Sequence, residues 1–222
     1  MQLRRKKLII EVSDKTFGNM SFIKGDPGIA LNNRKKFLST FGINLNDVTV
    51  MSPIHGGRVI EVTKRHLNTP FSKKWFQADG MITKDKGVFL FLPTGDCIPI
   101  CVFDPRNQAI GLIHGGRASL QNGIVINTVK AMNQRFGSDP KNLTVWFGPS
   151  IGPCCYIIPR PKIISPNLKP FIKQMKKDFV SIDLWGFAHA QLTSLGIPDE
   201  KIDKSTESLE DNNLQPPKLP EE

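Results

Sequence analysis

The hydrophobic pattern of this chain alternates between short apolar runs and helical stripes. Residues 7–12, from Lys7 to Val12 through Leu8, Ile9 and Ile10, predict a strand. Asp26-Pro27-Gly28 predicts a turn into a helix over about 30–41, which contains Asn33-Arg34-Lys35-Lys36-Phe37-Leu38 and stops at Gly42. Val48–Val50 and Arg58–Val62 read as strands on either side of His55, and 64–76 as a polar, irregular stretch. Met81–Thr83 and Val88–Leu92 read as strands; the second is apolar throughout, which predicts burial on both faces. Ile98–Phe103 and Ala109–Ile113 follow, joined by a turn at Asp104-Pro105-Arg106-Asn107. A helix is predicted over 119–136, with Ile126, Val129, Met132 and Phe136 on one face and Gly137 as its stop. Leu143–Phe147 is a further strand. Helices are predicted over 167–178 and 181–195, the latter with a stripe of Leu184, Phe187, Ala188, Leu192 and Leu195. Strands in the middle with helices between and after them predict a mixed α/β domain with polar sites at strand ends.

Length and charge narrow the picture. A chain of 222 residues holds a full core in one domain, or two small ones at most. No apolar run approaches the roughly 18 residues of a membrane span. The basic start, Arg4-Arg5-Lys6-Lys7, imitates a signal peptide, but Glu11 breaks the apolar run that follows, so a cytoplasmic location is expected. Net charge is +10; the segment 204–222 carries five acidic residues against Lys204 and Lys218, leaving +13 on the body. Composition predicts that this segment is a disordered acidic tail behind a domain spanning 1–203. A basic body attracts anions such as phosphate and nucleotides. No recognised nucleic-acid motif is present, so a nucleic-acid partner is not expected, nor is a membrane. Four cysteines in this length make no disulfide scaffold, and the adjacent Cys154-Cys155 pair is expected as thiols.

The candidate chemistry lies in three Gly-containing turns: Ile54-His55-Gly56-Gly57, Thr94-Gly95-Asp96-Cys97 and Ile113-His114-Gly115-Gly116. Two imidazoles and one thiolate match a zinc site that keeps a fourth position for water or substrate. Zinc lowers the pKa of bound water to about 7. Asp96, beside Cys97, is the candidate to orient a ligand from behind or to bond its own turn. Two other readings use the same residues. Cys97 serves as a nucleophile with His114 as its base and no metal, or the trio holds a single blue copper. A full multicopper centre needs more histidines than His55, His66, His114 and His189.

The blocks Ala78-Asp79-Gly80, Thr94-Gly95-Asp96-Cys97-Ile98-Pro99, His114-Gly115-Gly116 and Gly148-Pro149-Ser150-Ile151-Gly152-Pro153-Cys154-Cys155-Tyr156 resemble, in order, those of the laccase-domain (YfiH-type) family. Asn33-Arg34 and Ile54-His55-Gly56 resemble its upstream blocks, and coverage runs from about 26 to about 203. The resemblance implies a single-domain α/β fold, a mixed β-sheet sandwich flanked by helices. It implies Zn2+ held by His55, Cys97 and His114; copper is disfavoured by the histidine count. It also implies purine nucleoside and phosphate as substrates: phosphorolysis of adenosine, inosine and methylthioadenosine, with adenosine deamination at the same site. Arg34, Arg58 and Arg117 are candidate phosphate or substrate contacts, since Arg offers a bidentate fork. The chain departs from the family pattern around the proposed ligands. Gly95 stands where the family has Ala, Arg117-Ala118-Ser119 replaces Trp-Arg-Gly, Pro53 replaces Gln and Ile157 replaces an acid. Alternative functions are a metal-free Cys–His hydrolase or deamidase, since the fold has been compared with toxin deamidases, and a non-enzymatic binding protein stabilised by zinc.

Overall fold

The computed structural model describes residues 2–5, 8–22, 25–68, 75–175 and 178–204, without the side chains of 2–5 and 204. The strands are β1 (Gln2–Arg5), β2 (Leu8–Glu11), β3 (Val48–Ser52), β4 (Val59–Glu61), β5 (Trp75–Gln77), β6 (Gly80–Thr83), β7 (Phe89–Phe91), β8 (Ile98–Asp104), β9 (Ala109–Gly115), β10 (Thr144–Phe147), β11 (Ile157–Pro159), β12 (Ile172–Gln174), β13 (Phe179–Ile182) and β14 (Ile202–Lys204). The α-helices are α1 (Pro27–Ser39), α2 (Lys64–Leu67), α3 (Arg117–Gln121), α4 (Ile124–Phe136) and α5 (Leu184–Ser194). None of the described helices is long and apolar enough to cross a membrane.

A six-stranded mixed sheet in the order β14-β10-β8-β9-β6-β4 forms the centre, with parallel pairs at both ends and antiparallel pairs between. A parallel sheet, β5-β3-β7, lies against it. Period-two alternation assigns each side chain to a layer. In and around β7, Phe89 and Phe91 join Phe37, Leu38 and Val48, and so face α1. Val88, Leu90 and Leu92 join Met51, Met81 and Leu112 between the two sheets. On the far face of the central sheet Ile98, Ile100, Val102 and Ile113 pack with Val129 and Met132 of α4 and Phe187 and Leu192 of α5. The result is a sheet sandwich with helices outside, as the sequence resemblance implies. A third sheet, β11-β13-β12, packs beside α5, and β1-β2 form a separate hairpin.

Several elements differ from expectation, each for a local reason. Helix α1 starts earlier because Asp26 caps it, accepting from Ile29 N at 2.8 Å, with Pro27 in its first turn. Strand β7 packs on both faces as expected, yet stays only half-buried because it is a sheet edge. The segment 64–76 contains α2 and the start of β5; residues 69–74 lie outside the described residues. The helix expected over 119–136 is two helices, broken where Gly123 adopts φ +72°. The stripe of α4 is as expected at Val129, Met132 and Phe136, while Ile126 is half-buried. The helix expected over 167–178 is a 3-10 turn, Pro166–Phe171, with Pro170 inside it, leading into β12. The helix expected over 181–195 begins only at Leu184, because β13 occupies 179–182 and Asp183 caps α5 through Gly186 N. Lys204, expected in the tail, ends β14 beside β10; residues 205–222 of the expected acidic tail lie outside the described residues.

The β8–β9 turn rests on Asp104, which is fully buried. It accepts from Arg106 N at 2.9 Å, Asn107 N at 3.1 Å and Asn107 Nδ2 at 2.8 Å. Burial pushes this carboxyl up, but hydrogen bonds from Asn107 and the turn amides, with the nearby Ser138 hydroxyl, outweigh burial and hold it below its ordinary value. A carboxyl whose folded value is depressed adds stability above its unfolded value, near 3.9, and loses it as pH falls through the folded value. Asp104→Asn is therefore expected to cost about 1–3 kcal/mol at neutral pH, and the difference from wild type should shrink below about pH 3. Urea unfolding at the two pH values checks this.

Candidate metal centre

His114 comes from the end of β9, Cys97 from the residue before β8, and His55 from the turn between β3 and β4. Strands β8 and β9 pair so that Ile98 opposes Gly115 and Pro99 opposes His114, which sets Cys97 and His114 side by side at one end of the central sheet. Their ligating atoms and that of His55 lie within 4.8 Å of one another. Among the described residues this is the group of His, Cys, Asp and Glu side chains able to share an ion. The His55 and His114 rings meet edge to face, centroids 5.0 Å apart. Burial is graded: His114 is buried, Cys97 half-buried and His55 exposed, so the trio opens to solvent on the His55 side.

The His55 turn is strained and held. His55 has φ +58°, a left-handed conformation that a side chain disfavours. The Asp79 carboxylate accepts from Ile54 N at 3.3 Å, His55 N at 3.0 Å and Gly56 N at 2.8 Å, so three successive turn amides point at one anion. From the other side, Asn122 Nδ2 donates to His55 O at 3.2 Å and Asn127 Nδ2 to Gly57 O at 2.8 Å. The break at Gly123 lies between these two asparagines.

Asp79, which the sequence places in the Ala78-Asp79-Gly80 block without giving it a role in the site, organises it. It is fully buried, Oδ1 lies 2.8 Å from His114 Nδ1, and Ser119 Oγ donates to the same oxygen at 2.9 Å. Burial pushes the carboxyl up, while hydrogen bonds from Gly56, His114 and Ser119 and the nearby imidazole pull it down, and the net shift is downward. Burial lowers His114, Asp79 raises it and His55 lowers it again; the net is a lowered value and a neutral ring. A neutral ring beside a carboxylate carries its proton on Nδ1, which leaves the Nε2 lone pair for the site. Burial raises the Cys97 thiol, and the charges of Asp96 and Asp79 raise it further. The thiolate therefore needs a cationic partner.

The donor set fits zinc. Bonds of about 2.0–2.1 Å to nitrogen and about 2.3 Å to sulfur set ligand separations near roughly 3.5 Å. Atoms within 4.8 Å of one another put one ion within reach of all three. The space between the ligands depends on Gly116: a Cβ there would stand 3.0 Å from His114 Cε1 and 3.2 Å from Cys97 Sγ. Gly116→Ala is expected to reduce metal affinity on the order of tenfold or more, an effect comparable to losing a ligand's supporting partner, with little change in unfolding midpoint. Isothermal titration with zinc, set beside thermal unfolding, measures both.

The other sequence candidates fall in different places. Asp96, expected to orient a ligand, is exposed; its carbonyl accepts from Ile151 N at 3.0 Å, and its carboxylate acts on Cys97 through charge, whereas Asp79 bonds a ligand directly. Arg34, a candidate substrate contact, is instead an internal clamp. It is 1% exposed, donates through Nε and Nη2 to Met20 O at 2.8 and 2.6 Å, and lies over Phe22 with its Cζ 4.2 Å from the ring centre. Burial lowers its pKa to about 10, so it stays charged at neutral pH. The Arg58 side chain is exposed, and its carbonyl accepts from Asp79 N and Gly80 N. Arg117, next to Gly116, sits at the rim. It donates to Gln121 Oε1 at 3.0 Å and lies close to Tyr156, whose hydroxyl feels the charges of Arg117, Cys97 and Asp96. Burial raises the Tyr156 hydroxyl and Arg117 opposes that rise.

The family described as multi-copper polyphenol oxidoreductase laccase matches residues 10–213. A protein of Streptomyces coelicolor named purine nucleoside phosphorylase is 28% identical over 177 residues, covering 78% of this chain and 71% of that one. The purine nucleoside phosphorylase YlmD of Geobacillus stearothermophilus is 28% identical over 195 residues, covering 83% and 71%. The crystal structure of YlmD from that organism superposes with a TM-score of 0.76 at 26% identity, covering 86% of this chain and 74% of that one. The fold is also that of YfiH from Bacillus licheniformis, with a TM-score of 0.75 at 24% identity over 84% and 73% of the two chains.

Proposed function

The chain belongs to this laccase family, and from that premise we propose that it is a zinc-dependent purine nucleoside phosphorylase acting on adenosine, inosine and methylthioadenosine, with adenosine deamination at the same site. The observation that carries the proposal is the convergence of His55, Cys97 and His114 within 4.8 Å, with Asp79 fixing the ring of His114. The names of the relatives support the substrate class. The count of four histidines favours one ion over a multicopper cluster.

In phosphorolysis an oxygen of phosphate bonds to ribose C1′ as the bond from C1′ to the purine nitrogen breaks, giving free base and ribose 1-phosphate. The body charge of +13 draws phosphate and nucleotide-like anions toward the protein. Arg117 at the rim offers its guanidinium fork to phosphate. Gln121 holds that fork, and Tyr156, close to Arg117 and Cys97, presents a hydroxyl at the edge of the site. Asp79 holds His114 in one tautomer and fixes the His55 turn, so the trio is preorganised before substrate arrives. When bound, zinc supplies a Lewis acid that activates water near neutral pH, the chemistry that deamination at purine C6 requires.

The assay is release of free base from inosine and adenosine with and without phosphate. Phosphate-dependent formation of hypoxanthine and adenine with equimolar ribose 1-phosphate is expected, together with phosphate-independent conversion of adenosine to inosine. Zinc-loaded protein that turns over none of these nucleosides contradicts the proposal.

A second reading, a metal-free Cys–His hydrolase, rests on the shared contact of Cys97 Sγ and the His114 ring with the position beside Gly116. Burial and the charges of Asp96 and Asp79 hold that thiol protonated, which disfavours it as an unassisted nucleophile. Metal-free protein that hydrolyses amides and loses that activity on alkylation of Cys97 would establish this reading instead.

A further inference from the structure

Cys154 and Cys155 stand outside the His–Cys–His group, in the turn that follows Gly152. Both are thiols, and their Sγ atoms lie 2.7 Å apart, inside ordinary non-bonded contact. The turn fixes them there. Cys155 N and Tyr156 N both donate to Gly152 O, at 3.1 and 3.0 Å, and Ile157 N donates to Cys155 O at 2.9 Å. Ser181 Oγ donates to Pro153 O, pinning the turn to β13. Cys154 is exposed and Cys155 half-buried. Cys154 also lines a cavity of about 420 Å³, with Phe171, Lys173 and Met175 in its wall. Asp183 lines the same cavity, where its carboxylate caps α5 through Gly186 N.

We propose that Cys154 and Cys155 form a dithiol modification site that a small carboxylate-bearing disulfide oxidises to a Cys154–Cys155 bond, and that small thiols reverse. The cavity supplies the docking face: Phe171 and Met175 for the aliphatic part of such a molecule and the Lys173 ammonium for a carboxylate. Cys154, being accessible, gives up its proton and attacks one sulfur of the disulfide. That S–S bond breaks, one small thiol leaves, and Cys154 carries the other half as a mixed disulfide. Cys155 then loses its proton and attacks the Cys154 sulfur, and the second small thiol leaves. Two protein thiols are oxidised and one small disulfide is reduced to two thiols, with both protons taken up by the leaving thiols. Neighbouring Cα atoms stand about 3.8 Å apart, whereas disulfides usually span about 4.4–6.8 Å, so the product is strained and readily reduced. That makes the bond a reversible mark instead of a structural staple.

The position of the pair gives the mark a consequence. The same segment is stitched to the Cys97 loop through Gly148 N to Pro99 O at 2.8 Å and Ile151 N to Asp96 O at 3.0 Å. Tyr156, next in sequence, lies close enough to Arg117 and Cys97 for its hydroxyl to feel their charges. Closing the ring at 154–155 therefore acts on a turn stitched to the Cys97 loop and on the tyrosine beside Arg117.

The test treats the whole chain with glutathione disulfide, blocks remaining thiols with N-ethylmaleimide, and maps the peptide containing residues 154 and 155 by mass spectrometry. Wild type should give a peptide lacking two hydrogens and carrying no maleimide there, restored to two labelled thiols by dithiothreitol. Cys155→Ser should retain glutathione on Cys154. Cys154→Ser should retain on the order of tenfold less on the less accessible Cys155. Lys173→Glu should slow formation of the first adduct several-fold. Two maleimides on the treated wild-type peptide would overturn the proposal, as would a stable glutathione adduct there or a bond to a second chain. The readout requires neither metal nor nucleoside turnover, so its failure is distinguishable from failure of the phosphorylase reading.

Discussion

Asp79→Ala is expected to destabilise the protein by about 3–5 kcal/mol, because it leaves several buried donors without an acceptor and each such group costs about 1–3 kcal/mol. The carboxylate is fully buried and faces the amides of Ile54, His55 and Gly56, the His114 ring and the Ser119 hydroxyl. Truncation leaves these donors without an acceptor and the left-handed His55 without its restraint. Urea unfolding measures the loss. Asp79→Asn keeps the volume, and so separates folding from ligand orientation. It is expected to fold with a smaller penalty, yet to lose roughly 10–100-fold in zinc affinity, because an amide no longer holds the Nδ1 proton of His114 as a carboxylate does. Wild-type zinc affinity in Asp79→Asn would show that Asp79 serves the turn alone.

Cys97→Ser is expected to have the larger effect on activity and a small effect on stability. The side chain is half-buried and the replacement is close in size, so the unfolding midpoint should move little. Phosphorolysis and deamination should each fall by more than the 10–100-fold that a lost supporting partner costs, because a ligand itself is gone. Steady-state rates on inosine with phosphate and on adenosine without it make the comparison. Loss of one activity with retention of the other would separate the two reactions into different sites.

What the sequence made legible divides along physical lines. Strand alternation around Val88–Leu92 and Ile98–Phe103 is a local signal, and the sandwich follows it residue by residue. The three Gly-containing turns also converge, since β8–β9 pairing brings Cys97 beside His114 whatever else the chain does. The misreadings arise where long-range contacts override local pattern. Residues 167–178 have apolar spacing that suits a helix, yet Pro170 interrupts it and Ile172–Gln174 finds a partner in β13. The helix expected over 119–136 ran straight through Gly123; the bonds from Asn122 and Asn127 to the His55 turn, 67 and 70 residues away, show why the chain bends there. Arg34 looked like an anion contact because arginine so often is one, but aromatic rings and the Met20 carbonyl enclose it.

Asp79 is the instructive omission. It lies in the Ala78-Asp79-Gly80 block of the resemblance, which assigned it no role, and Asp96 next to a proposed ligand looked the better partner. The deciding fact is three-dimensional. Asp79 sits at the mouth of β6, its carbonyl accepts from His114 N at 2.8 Å, and its carboxylate reaches the His55 turn on one side and the His114 ring on the other. Arg117 and Tyr156 are a second such case: 39 residues apart in sequence, they come close where the 148–156 segment is stitched to the Cys97 loop.

The measurement that tests the central claim most directly is metal content by mass spectrometry on wild type and Cys97→Ser, both purified without a histidine tag. The account predicts close to one zinc per wild-type chain and almost none in the variant, with the fold retained in both. Protein free of metal in both forms, after equilibration with zinc, would contradict the assignment of His55, Cys97 and His114 as a metal centre.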